Sequence, residues 1–294
     1  MEAHYERLMT PPPRDGSRDR RIEDPSNLYL IHPASHALLP YALRHGVSAN
    51  AVSLVGLACG TVAAIAYANW HNPAMALVGL VFSIAWLVAD GLDGMIARAT
   101  KTASALGRTL DGLCDHGVFA LLYIALAWTV GTTEGWVLSI AAAGAHAVQS
   151  SLYEGERARF HRRVRGQPLG AVPTPTGMVL VRLYDSVAGS VDRISMPFER
   201  RFGAAEDRGT FAAAYAAAAV PVMRLQYLLT ANIRVWAICI ACLVGNPKLF
   251  WWFEIVPLTA ICAVGLYAHR RVERRFVHGA MPQSILLSSE QGHS

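Results

Sequence analysis

The sequence predicts an all-α, polytopic membrane protein with six transmembrane helices and an N-terminal amphipathic interfacial helix. Three observations predict it. Of the 294 residues, 53% are hydrophobic and 16% charged, and the mean hydropathy is +0.29. That is too apolar for an ordinary soluble domain. The apolar residues gather into runs close to the roughly 20 residues a spanning helix needs. The arginines fall on alternate connections, as they do when one side of a membrane is cytosolic.

Residues 1–25 are polar, Pro-rich and charged, without the apolar core of a signal peptide, and are read as a disordered cytosolic tail. Residues 26–46 carry Leu28, Leu30, Ile31, Leu38, Leu39, Tyr41 and Leu43 as a partial apolar face. That face suits a helix lying on the cytosolic leaflet, or a cap buried over the ends of a bundle. The membrane domain covers residues 47–270. Its spans run from about Ala49 to Trp70, Ala74 to Ala97, Leu106 to Val130 and Gly135 to Tyr153. The fifth starts between Pro221 and Asn232 and ends at Val244; the sixth covers about Leu249 to Ala268. Between the fourth and fifth lies a basic loop, about 154–208, helical in parts. Apolar spacing at Val179, Leu180, Leu183, Val187, Val191 and Ile194 marks a second interfacial helix there. Residues 271–294 form a second cytosolic tail.

Short connections at 71–73 and 131–134 carry only Glu134, and the turn near Gly245 only Lys248. The opposite connections carry Arg98, Lys101, Arg108, the basic loop and then Arg270, Arg271, Arg274 and Arg275. Both termini and both basic loops are therefore placed in the cytosol, an alternation that closes with an even number of spans. In a bacterium this would be the inner membrane. The net charge of +5 gives no reason to expect a nucleic-acid partner. The five cysteines, Cys59, Cys114, Cys239, Cys242 and Cys262, all sit in apolar context and read as small buried hydrophobes. His146 reads as a packing residue and Trp251-Trp252 as part of an interfacial aromatic belt.

Four acids stand out against this background. Asp90, Asp93, Asp111 and Asp115 lie in WLVADGLDGMIARATKTASALGRTLDGLCDHGVF, residues 86–119. Carboxylates in such a stretch are costly and need a purpose. Asp90, Asp93, Gly94 and Ala97 share one helix face, and so do Gly107, Asp111 and Asp115. A turn of about ten residues, RATKTASALG, lets the faces oppose. Four converging carboxylates require compensation, and hard oxygen donors in that number suit two Mg²⁺ or Mn²⁺ ions better than zinc. Gly94, Ala97 and Gly107 make a notch that admits a ligand or packs helices. Arg98 and Arg108 lie near its mouth, within reach of phosphate oxygens.

The order D-x2-D-G-x2-A-R-x8-G-x3-D-x3-D resembles the motif of the CDP-alcohol phosphatidyltransferases, integral membrane enzymes of phospholipid biosynthesis. The resemblance implies transfer of a substituted phosphate from a CDP-linked donor to a hydroxyl acceptor, with release of CMP. It implies Asp90, Asp93 and Asp111 as ligands of a two-metal centre, and Asp115 as a further ligand or the general base. Gly94, Ala97, Arg98 and Gly107 take the CDP-contacting positions. By family analogy the donor is CDP-diacylglycerol; the alternative is a CDP-ethanolamine or CDP-choline type enzyme acting on diacylglycerol. Membrane lipids are partners, and a homodimer is compatible with the resemblance. Acceptor candidates lie outside the motif: Glu154, Arg157, Arg224, Asn232 and Arg234. Arg224 and Arg234 either hold a phosphorylated acceptor, such as inositol phosphate or glycerol phosphate, or snorkel to headgroups. From other classes, the same acids would serve an ion or proton transporter, although no repeat is visible, or would be retained in a silent scaffold.

Overall fold

The computed structural model describes residues 19–169 and 193–279, except the side chains of 105, 106 and 108–111. Every regular element among them is helical. A π-helical turn, Asn27–Ile31, leads into α1 (His32–Arg44). Then come α2 (Ala49–Ala68), α3 (Pro73–Ala99), α4 (Ala105–Val130) and α5 (Thr133–Val164). Helix α6 covers residues 193–203. It is followed by α7 (Arg208–Gln226), a 3₁₀ turn at Tyr227–Leu229, α8 (Ala231–Leu243) and α9 (Lys248–Phe253). A second π turn, Glu254–Leu258, opens into α10 (Thr259–His278). The predicted tails and the interfacial helix at 178–202 lie largely outside the described residues.

The described residues form two compact units. One is built from residues 23–145 and 230–257, the other from 19–22, 146–169, 193–229 and 258–279.

In the first unit α2 is the central element, packing along both α3 and α4. Its sequence explains why. Gly56 faces α3, where an added Cβ would lie 3.3 Å from the Ala89 Cβ; Gly60 faces α4, where it would lie 2.3 Å from Val118. Glycines four apart let backbones approach where side chains would hold them off. Gly60→Ala is therefore expected to cost about 1–3 kcal/mol and to lower the thermal midpoint in detergent. Gly144→Ala, whose new Cβ meets nothing within 4 Å, is the neutral control. The helix starts are set locally: Ser48, Asn72 and Ser104 each accept a first-turn amide hydrogen bond. Helix α1 packs on α3, with Leu39 and Ala42 against Val52, Ala89 and Leu92. Its other face leaves Tyr29, Leu30, Leu38 and Tyr41 exposed along the turn and helix.

Among the described residues, five segments are long and apolar enough to cross a membrane: Ala49–Ala68, Pro73–Ala99, Gly112–Val130, Arg208–Leu229 and Lys248–His278; Ala231–Leu243 is a shorter apolar helix. This differs from the predicted spans at two places. The fourth predicted span lies within α5, diluted by the buried polar residues His146, Gln149 and Ser151. Gln149 donates to Thr259 Oγ1 at 3.0 Å. The fifth was expected to start at Pro221 or later. Instead the helix begins at Arg208, capped by Asp207, and carries Pro221 inside it. Its alanine run, 212–219, is weak in hydropathy but strong in helix propensity. The chain breaks only at 227–230 before α8.

In the second unit, α5, α6, α7 and α10 meet around aromatic rings and buried charges. Phe198, Phe202, Phe211, Tyr215 and Phe276 stack or meet edge to face. Glu156, Arg159 and Arg163 on α5, Glu199 on α6, and His269, Arg270 and Glu273 on α10 are all buried. Arg163 donates to Glu199 Oε1 from Nε (2.9 Å) and Nη2 (2.7 Å), and from Nη1 to Glu273 Oε1 (2.6 Å) and the Tyr215 hydroxyl (3.1 Å). Glu156 accepts from Arg159 at 2.7 Å and also meets Arg270 and His269 Nδ1. Tyr215 meets His269 Nε2 at 2.7 Å.

Candidate functional site

The turn between α3 and α4 is tighter than the predicted ten residues. Helix α3 runs to Ala99, Lys101 takes a left-handed conformation (φ 57°), and Ser104 caps α4 with its Oγ accepting from Gly107 N at 3.0 Å. Beside this turn is a cavity of about 390 Å³. Asp93, Gly94 and Ala97 line it from α3, Gly107 from α4, and Asn50 and Ser53 from α2. Thr100, Thr102 and Ser104 add hydroxyl groups; Leu43, Val47 and Ile96 add an apolar side.

Asp93 is 5% exposed. Its Oδ2 accepts from the Ser53 hydroxyl at 2.5 Å. The exposed Arg98 guanidinium folds back toward Gly94, where an added Cβ would sit 3.3 Å from Nη1. Gly107 faces Asn50, whose Oδ1 would be 3.6 Å from a Cβ at that position. Four predicted motif positions, Asp93, Gly94, Ala97 and Gly107, thus share one cavity wall, and Arg98 stands beside it. Ser53 and Asn50 were not singled out from the sequence. Their spacing from Gly56 and Gly60 on one helix was the available signal.

The other acids are placed differently. Asp115 lies deeper along α4, where its Oδ1 accepts from the Trp86 indole N–H at 3.1 Å. Asp90 is half-buried on α3, one turn beyond Trp86. The backbone of Asp111 is helical, one turn before Asp115; its side chain and that of Arg108 lie outside the described residues. Among the side chains that are described, no three of His, Cys, Asp and Glu gather at metal-binding spacing.

The acceptor candidates have other partners. Asn232 is buried, and its Nδ2 lies 3.0 Å from Asp24 Oδ2 and 2.8 Å from both Ser26 Oγ and Asn27 Oδ1. It ties α8 to the segment before α1. Arg234 Nε donates to buried Glu254 at 2.8 Å. Neither lines the cavity. In the second unit, exposed Arg224 donates from Nε to the Arg21 carbonyl at 2.8 Å. Glu154 is exposed and Arg157 half-buried on α5. The face with the buried network is Glu156, Arg159 and Arg163, at i, i+3 and i+7, a helical spacing legible in the sequence.

A model of the CDP-alcohol phosphatidyltransferase family matches residues 47–199, a little over half of the chain, and contains the whole acid motif. No curated protein and no solved structure matches.

Proposed function

Since the chain belongs to the CDP-alcohol phosphatidyltransferase family, we propose that it is a divalent-metal-dependent phospholipid synthase using CDP-diacylglycerol as donor. The observation that carries this reading is the shared wall of Asp93, Gly94, Ala97 and Gly107 around one cavity.

The donor set fits a hard cation. All four motif acids offer oxygen, and Asp93 brings a buried carboxylate to the cavity. Mg²⁺ and Mn²⁺ need few carboxylates when phosphates complete the shell. Asp90, Asp93 and Asp111, with Asp115 as a further ligand, would hold two such ions. When bound, they would neutralise the diphosphate and improve CMP as a leaving group. The protein's own parts do the rest. Gly94, Ala97 and Gly107 leave room for the CDP moiety, and Arg98 and the cavity hydroxyls meet its polar groups. Asp115 takes the proton of the acceptor hydroxyl. The hydroxyl oxygen bonds to the phosphorus carrying diacylglycerol as the bond to the CMP phosphate breaks, and CMP departs with that electron pair. Trp86 orients Asp115, and Ser53 orients Asp93.

Ser53→Ala is expected to raise the divalent-ion concentration for half-maximal CMP release by about tenfold, as loss of a hydrogen bond to a ligand does. Asn232 and Arg234 act in folding rather than acceptor selection, because their donors are engaged elsewhere. The phosphorylated acceptor, inositol phosphate or glycerol phosphate, that Arg224 and Arg234 suggest in the sequence loses the support of Arg234, which is held by Glu254. The deciding experiment is a panel. CDP-diacylglycerol is offered with serine, glycerol 3-phosphate, inositol, inositol phosphate or choline, and CDP-ethanolamine with diacylglycerol, following the lipid product. A phosphorylated-acceptor product supports the proposal. Product only from diacylglycerol reverses donor and acceptor. Ion flux into proteoliposomes without any CDP compound would favour a transporter. In the proposed orientation the site and both termini face the cytosol.

A further inference from the structure

Charge is sorted by burial on α6 and α10. Among the described residues, the only carboxylate on each, Glu199 and Glu273, is buried. Arg193, Arg200 and Arg201 on α6, and Arg271, Arg274 and Arg275 on α10, are exposed. The two helices are held together, with Arg270 on Ser195 and Arg163 bridging Glu199 to Glu273. Their arginine faces are therefore fixed outward.

The outer face of α10 also records depth. Val264 (55% exposed), Tyr267 (67%), Arg271 and Arg274 follow one another at helical spacing on one stripe. An apolar residue, then an interfacial aromatic, then arginines is the order met on leaving a bilayer. The headgroup layer would then lie at Arg271 to Arg275. Helix α6 joins α10 at this level through Ser195 and Arg270. Its outer face mixes Ile194 (60% exposed) and Pro197 with the arginines, as a helix lying among headgroups does.

We propose that α6 and the end of α10 form a binding surface for anionic phospholipid headgroups of the cytosolic leaflet. Six exposed arginines without an exposed carboxylate on either helix match anionic phosphodiesters in charge and in donor geometry. The inference rests on the membrane orientation proposed above and not on the chemistry at Asp93.

The test uses the full-length protein in bilayers of mixed phosphatidylcholine and phosphatidylglycerol, with spin-labelled lipids reporting association and no CDP compound present. Wild type is expected to prefer phosphatidylglycerol by about fivefold or more, the scale of one arginine at an anionic surface. The preference should shrink in high salt. In R271Q/R274Q/R275Q it should fall clearly, and toward one when R193Q/R200Q/R201Q is added, while R271K/R274K/R275K retains most of it. An unchanged preference in the glutamine variant, or none in wild type, overturns the proposal. Because no turnover is read, its failure leaves the transferase reading untouched, and an inactive enzyme leaves this one untouched.

Discussion

Asp93→Asn is expected to lower CMP release by roughly 10²–10³-fold or more, the scale of losing one electrostatic contact to the reacting group. The substitution keeps shape and the acceptor for Ser53, whose hydroxyl lies 2.5 Å from Oδ2. It removes only the negative charge from the cavity wall. Insertion and thermal stability should therefore match wild type, and the loss should appear in turnover. Turnover close to wild type, with metal present, would remove Asp93 from the chemistry. The same substitution at Asp115 should also lower turnover, since the base would be lost.

Glu156→Ala is expected to be the most damaging single change to stability, by about 3–5 kcal/mol. Glu156 is fully buried and meets Arg159, Arg270 and His269 together. Truncation leaves Arg159 and Arg270 buried without their counter-charge, which costs more than the pair itself contributes. The check is thermal unfolding in detergent at pH 7, where the midpoint should fall sharply. A shift of less than a degree would mean that water or rearrangement compensates the arginines. Acid should reproduce part of the effect. Burial raises the Glu156 carboxyl, but His269, Arg270 and Arg159 outweigh it and hold it below its ordinary value of 4.5. At Glu199 burial is likewise outweighed by Arg162 and Arg163. A carboxylate depressed on folding stabilises fully above its unfolded value and loses that contribution as pH falls through the folded one. Wild-type stability should therefore hold near neutral pH and decline below about 4.5, with a flatter decline in Glu156→Gln.

The parts of this protein with strong periodic signals were legible in the sequence. Helices α2 to α4 begin and end within a few residues of expectation, because long apolar runs between Ser48, Asn72 and Ser104 leave little freedom. The notch at Gly94, Ala97 and Gly107 was legible because small residues and acids at helical spacing define a face. What escaped depends on partners distant in the chain. Nothing local pairs Arg163 with Glu273, or Arg234 with Glu254, so a buried arginine and a snorkelling one look alike in sequence. The start of α7 was hidden for another reason. Its alanines favour a helix without announcing a membrane. Ser53 and Trp86 were missed because a hydroxyl and an indole on apolar helices read as packing until the acid opposite is known.

The most direct measurement is CMP release from CDP-diacylglycerol by the purified protein, stripped with chelator and then titrated with Mg²⁺ or Mn²⁺ beside a phosphorylated acceptor. Negligible CMP is expected without a divalent ion, with recovery on adding either one and formation of lipid product in equal amount. CMP release that is indifferent to chelation, or absent with every acceptor and metal while the folded protein is intact in the membrane, would contradict it.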